Sequence, residues 1–199
     1  MSVNQQTLLR RIKILSNTIL GRDVSIINHE RYILEQKIIP YFANRKEVVK
    51  VLFVGCGSYT KHYQRWFRNQ EYRTIDINPL KRIYGAKNHI TDSMSNLKHH
   101  FKPNDLDLII CNGVFGWGLN EKQDVEEAFA ACFECLGDGG VLIIGWDDTP
   151  ETKPFPLETC ESLNQFQPYL FPPLNTSQYI NSSDENNHHV YNFYFKPAC

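Results

Sequence analysis

At 199 residues, 42% apolar and 22% charged, the chain is long enough to bury a core without disulfides or a structural metal. Its formal net charge is −1 and its Lys and Arg residues are scattered, whereas a nucleic-acid partner calls for a concentrated positive face. No stretch approaches a membrane span and the N-terminus lacks the apolar core of a signal peptide, so a cytoplasmic protein is expected, with Cys56, Cys111, Cys132, Cys135, Cys160 and Cys199 as reduced thiols.

Leu8, Leu9, Ile12, Leu15 and Ile19 recur at helical spacing, which predicts a helix over residues 5–20 stopped at Gly21. Ile33, Leu34, Ile38 and Phe42 predict a second helix over residues 28–44. Both precede the first strand, so residues 1–45 are expected to form a helical cap and residues 46–199 the main domain. The apolar, β-branched run 48–54 predicts a strand ending at Gly55, and residues 59–69 a helix. Short strands follow over 72–76 and 88–91, and a strong one over 106–111. Val125, Phe129, Cys132 and Leu136 mark one face of a helix over 121–136, and Cys132 and Cys135 read as core residues of it. Residues 137–140 predict a turn, and 141–146 a strand apolar enough to be buried on both faces. A helix over 157–165 and extended pieces near 168–171 or 177–181 and over 189–195 complete the pattern. The polar stretch 175–187 reads as a loop. Strands alternating with helices imply right-handed βαβ crossovers and an α/β fold.

In such a sheet, ligands sit beyond the carboxyl ends of the strands, where strand order reverses. The first strand ends in Gly55-Cys56-Gly57, whose glycines let the backbone pass close to a ligand. About twenty residues on, Asp76 ends the second strand at the spacing from which a carboxylate reaches a ribose diol. Asp92 ends the third strand, where it can meet an adenine amine. Three consecutive strand ends with these residue types point to an adenosine-bearing cofactor. Thr60 stands where a dinucleotide fingerprint has its last glycine, which argues against NAD.

The runs 51–57, 74–79, 91–93, 107–112 and 136–142 resemble the successive motifs of class I S-adenosylmethionine-dependent methyltransferases, of the methyltransferase domain type 11, 12 or 25. The resemblance spans residues 48–146, and the tail 189–196 resembles that fold's last strand. It implies a Rossmann-like, seven-stranded, mostly parallel sheet with helices on both faces and an antiparallel last strand. It also implies S-adenosylmethionine as methyl donor, held by Val54, Gly55, Cys56, Gly57, Tyr59, Asp76, Ile77, Asp92, Ser93, Asn112 and Gly113, with a small-molecule acceptor and no metal. Two positions depart from the family: Phe53 where an acid is common, and Tyr59 where a third glycine is common.

Methyl transfer by this resemblance is an in-line displacement, with a base needed only where the nucleophile still holds its proton. Asp147, Asp148 and His62 are the catalytic candidates. Phe115 and Trp117 are candidates to pack on the adenine or the acceptor, and His29 to fold over the cofactor. The pair His188 and His189 reads as solvent-facing. Two other readings stand beside this one: an NAD(P)-dependent oxidoreductase, and a non-catalytic protein of the methyltransferase fold that binds S-adenosylmethionine or S-adenosylhomocysteine.

Overall fold

The computed structural model describes residues 29–184 and 187–198. The helix expected over 5–20 and the reading of the His29 side chain lie outside what it describes. Helix α1 covers residues 29–43, as α-helix over His29–Ile33 and Ile39–Ala43 with Leu34–Ile38 wound as π-helix. Pro40 accounts for the wider turn: its ring would clash with a carbonyl four residues back in a regular α-helix. The N–H of Ile39 instead reaches Leu34, five residues back.

Strands β1 (Lys50–Val54), β2 (Glu71–Asp76), β3 (His89–Thr91), β4 (Leu106–Asn112) and β5 (Leu136–Asp147) are parallel neighbours. Three further strands follow: β6 (Gln167–Pro168), β7 (Gln178–Asp184) and β8 (Asn187–Phe195). Among the described residues the sheet therefore has eight strands where seven were expected, in the order β3-β2-β1-β4-β5-β8-β6, with β7 paired to β8 off that path. Strand β8 is antiparallel to β5, as expected of the last strand. Strand β7 agrees with the extended reading of 177–181 and not with the loop reading of that stretch, because it hydrogen-bonds along β8 from Gln178 to Asn181 and again at Asp184. Ladder pairing overrides polar composition there.

Helix α2 is only Tyr63–Trp66, preceded by a 3-10 turn over Thr60–His62, and is much shorter than the expected 59–69. Helix α3, Lys122–Cys135, buries Val125, Ala128, Phe129 and Cys132 at helical spacing and runs directly into β5. The expected turn at 137–140 is absorbed as an irregularity of β5, whose register with β4 shifts between Leu106 and Leu108. Residues 157–165 form two 3-10 turns, Leu157–Thr159 and Glu161–Gln165, in place of one helix.

The sheet is buried on both faces. Leu52, Val54, Ile109, Cys111, Leu142 and Ile144 pack with α3 on one side. Val51, Phe53, Leu108, Ile110 and Ile143 pack on the other with α1, Tyr63 of α2 and Phe171. Phe53 is fully buried, and its ring meets Tyr63 at 64° with centroids 5.4 Å apart. A carboxylate at this position would be desolvated in that cluster, so the departure from the family pattern belongs to the core. Phe53→Ala is expected to destabilise the fold by about 3–5 kcal/mol in urea denaturation. An unchanged midpoint would contradict this packing.

Candidate active site

Strand order reverses between β1 and β4, and the carboxyl ends of these strands open on a cavity of about 740 Å³. That volume lies within the range of small-molecule sites. All eleven residues expected to hold a cofactor line it.

The glycine turn forms one wall. Gly55 has φ +86°, and a Cβ there would lie 2.6 Å from Val114 and 2.9 Å from the Asn112 carbonyl, so only glycine fits. Thr60 latches the turn: its hydroxyl accepts from Gly57 N–H at 3.2 Å and lies 2.9 Å from the carbonyls of Gly57 and Tyr84. Asp76 ties the turn to the next strand. Its Oδ2 accepts from the Cys56 N–H at 2.7 Å and its Oδ1 from the Asn78 N–H at 2.9 Å. A carboxylate has about four acceptor positions, so two remain for a ligand.

Asp92 is held more fully. Its Oδ1 accepts from Ser93 N–H and the Asn96 amide, and its Oδ2 from His100 at 2.7 Å. The Asn96 and His100 bonds hold its carboxyl down at about 2. One acceptor position is left on Oδ2. The Cys56 thiol is pushed up to about 12, first by burial and then by the neighbouring Asp76 charge, so it is no nucleophile at neutral pH.

Asn112 ends β4 beside Gly145 of β5, and its buried Oδ1 has no hydrogen-bond partner among the described residues. Asp147, at the end of β5, lines the cavity and accepts from the indole N–H of Trp117 at 2.9 Å. The other two catalytic candidates stand outside the lining. Asp148 pairs with Lys153 at 2.5 Å, and His62 packs edge-on against Tyr63 and Trp66. Phe115 is also not in the wall. It is a core residue, edge-on to Trp146 and Phe155.

The sequence of residues 52–144 matches the family model of a methyltransferase domain. Over those residues, a little under half of its length, the chain is similar to that family. No curated protein matches its sequence. Among solved structures, the N-methyltransferase NodS of Bradyrhizobium japonicum WM9 superposes with a TM-score of 0.63 at 12% identity, over 86% of this chain and 100% of that one. The 1,6-didemethyltoxoflavin-N1-methyltransferase of Burkholderia thailandensis, crystallised with 1,6-didemethyltoxoflavin and S-adenosylhomocysteine, gives 0.60 at 16% identity over 100% and 92%. The [4+2]-cyclase SpnF gives 0.61 at 14% identity over 94% of each chain.

This methyltransferase fold brings two further residues into the cavity that motif spacing alone did not single out. Arg31 of α1, 7% exposed, lies with its guanidinium 4.5 Å from the ring centre of Tyr59, beside the glycine turn. Tyr59 is thus the platform for a buried cation. His189 is 5% exposed, the reverse of the solvent-facing reading, because its antiparallel register places it against Asp147. Among the described residues no cluster of three or more His, Cys, Asp or Glu could hold a metal, and no helix is long and apolar enough to cross a membrane.

The depressed Asp92 value fixes a sign. An unfolded Asp titrates near 4, so the ionised group adds stability above about pH 4 that is lost as pH falls through about 2. Asp92→Asn should flatten the stability-against-pH curve across that window in chemical denaturation. A slope equal to wild type would place Asp92 outside its hydrogen-bond network.

Proposed function

We propose that the chain is an S-adenosylmethionine-dependent methyltransferase acting on a small-molecule acceptor. The observation that carries this is the meeting of the glycine turn, Asp76 and Asp92 around one cavity at the switch point of the sheet. Asp76 has two acceptor positions left for the vicinal ribose hydroxyls, and Asp92 has one for the adenine amine. Ile77, which is 69% exposed, and Ser93 flank the base. Gly55, Cys56 and Gly57 let the chain's backbone pass under the ligand. The unpartnered Oδ1 of Asn112 suits the methionine ammonium, and the buried Arg31 suits its carboxylate.

When bound, the cofactor supplies an electrophilic methyl on sulfur. The chain's own residues orient the reactants and exclude water. A neighbour of the same fold that holds both a small-molecule acceptor and S-adenosylhomocysteine supports the acceptor class. The dinucleotide reading is disfavoured by the site itself. A pyrophosphate needs the N-terminus of a helix packed close to the turn. The turn is followed here by a three-residue 3-10 segment and a four-residue helix, with Thr60 latched at the point of approach.

Calorimetry tests the assignment. S-adenosylhomocysteine should bind and NAD should not; binding of NAD alone would overturn the reading. Asp76→Ala should weaken S-adenosylhomocysteine and adenosine alike, by about 1–3 kcal/mol. Arg31→Ala should weaken S-adenosylhomocysteine by a similar amount but leave adenosine, which lacks the carboxylate, nearly unchanged. Equal losses for both ligands in Arg31→Ala would reject its assignment to the carboxylate.

A further inference from the structure

We propose that His189 is the general base of this enzyme and that the acceptor presents a phenolic hydroxyl to its Nε2. This rests on the methyltransferase reading above. His189 Nδ1 is 2.6 Å from Asp147 Oδ1. An ionised carboxylate only accepts, so Nδ1 carries a proton, and in the neutral ring that tautomer leaves the lone pair on Nε2. The second oxygen of Asp147 takes the Trp117 indole N–H, which fixes the carboxylate against rotation. Burial pushes the Asp147 carboxyl up, but the bonds from His189 and Trp117 outweigh it and hold it below its ordinary value, so it stays ionised.

Three separate elements are thus joined in series, the loop after β4 through Trp117 to Asp147 at the end of β5, and Asp147 to His189 at the start of β8. Trp117 and Asp147 are positioning residues, and His189 is the group left to meet a substrate. Its Nε2 is buried and has no hydrogen-bond partner among the described residues, although the residue belongs to the cavity wall. A buried ring nitrogen without a partner is costly, and an acceptor's O–H would satisfy it. Among the described residues, the ionisable groups in contact with it are Asp147 from β5 and Tyr191 of β8, whose ring stands 4.7 Å away. Across β7 its register partner is the neutral Asn181. Arg31, Asp76, Lys81 and Asp92 share the cavity wall.

A phenol selects this arrangement. It titrates near 10, so it keeps its proton at neutral pH and needs a base, whereas a neutral amine already offers its lone pair. Val54, Met94, Val114, Trp117 and Leu119 supply apolar wall for the ring. In the step, the phenol O–H bond breaks and its proton goes to Nε2. The oxygen forms a bond to the methyl carbon, and the S–CH3 bond breaks with its electron pair passing to sulfur. The imidazolium then returns its proton to water.

The test has a spectroscopic arm and a kinetic arm, both on the full chain. In protein labelled with ¹⁵N at histidine and saturated with S-adenosylhomocysteine, His189 should show a protonated Nδ1 and a lone-pair Nε2. Phenol should shift the Nε2 resonance, while anisole, the same ring without the donor, should not. Asp147→Asn should disturb the tautomer. For kinetics, label transfer from S-adenosylmethionine to phenol, catechol and aniline is followed against pH. His189→Gln should slow transfer to the phenols by about 10²–10⁴-fold and abolish the acid limb of their pH profile, with S-adenosylhomocysteine affinity retained. An Nε2 resonance indifferent to phenol, or a His189→Gln variant with the wild-type rate and pH profile, would overturn the proposal, as would transfer to aniline alone. Where no phenol is turned over, the spectroscopic arm decides. Failure of wild-type protein to bind S-adenosylhomocysteine would instead overturn the underlying reading, and this proposal with it.

Discussion

The Asp76 carboxylate joins two neighbouring strand ends, and the shape of the site depends on that join. By accepting the Cys56 N–H at 2.7 Å it pins the glycine turn of β1 to the end of β2. The Gly55 N–H reaches the Ile75 carbonyl at 3.0 Å, so the turn leaves β1 as a continuation of the ladder. With the turn held from this side and latched by Thr60 from the other, its backbone lies open to the cavity without a helix dipole to organise it. A carboxylate that is already part of the turn and still has acceptor positions to spare is fixed before any ligand arrives. Such a group loses little freedom when a diol binds it.

The parts of this site written in one stretch of sequence were legible there. The strand runs, the glycine turn, and the acids at the ends of β2 and β3 each follow from local composition, and they come together because parallel neighbours align their ends. Arg31 and His189 were not legible in the same way. Arg31 reaches the cavity only because α1 packs on the sheet face, a consequence of Ile33, Leu34, Ile38 and Phe42 joining the core. His189 meets Asp147 through the register of two antiparallel strands 42 residues apart in the chain, which no motif encodes. Phe53 shows the reverse case. Compared with a family pattern it looks like a missing acid, and in the fold it is simply a core ring.

The short 3-10 segments beside the sheet have a similar origin. Residues 59–69 have helical composition, yet only Tyr63–Trp66 is α-helix, because Thr60 spends its hydroxyl on the turn and Tyr63 turns its ring into the core. Tyr63 in turn donates from its hydroxyl to Glu35 of α1 at 2.8 Å, and Glu35 lies 3.7 Å from Arg31. The glycine turn, the first crossover and α1 are therefore one connected unit, and Tyr59 and Arg31 sit at its cavity end. The fold itself does not choose the chemistry, since a [4+2]-cyclase shares it. In the proposal above the choice falls to four residues of the cavity wall, Trp117, Asp147, His189 and Arg31.

In a crystal structure of the protein with S-adenosylhomocysteine, the adenosine should lie across Gly55-Cys56-Gly57, with both ribose hydroxyls within hydrogen-bond distance of the Asp76 carboxylate and the adenine amine at Asp92. A ligand bound elsewhere, or one in this cavity with its ribose away from Asp76, would contradict that placement.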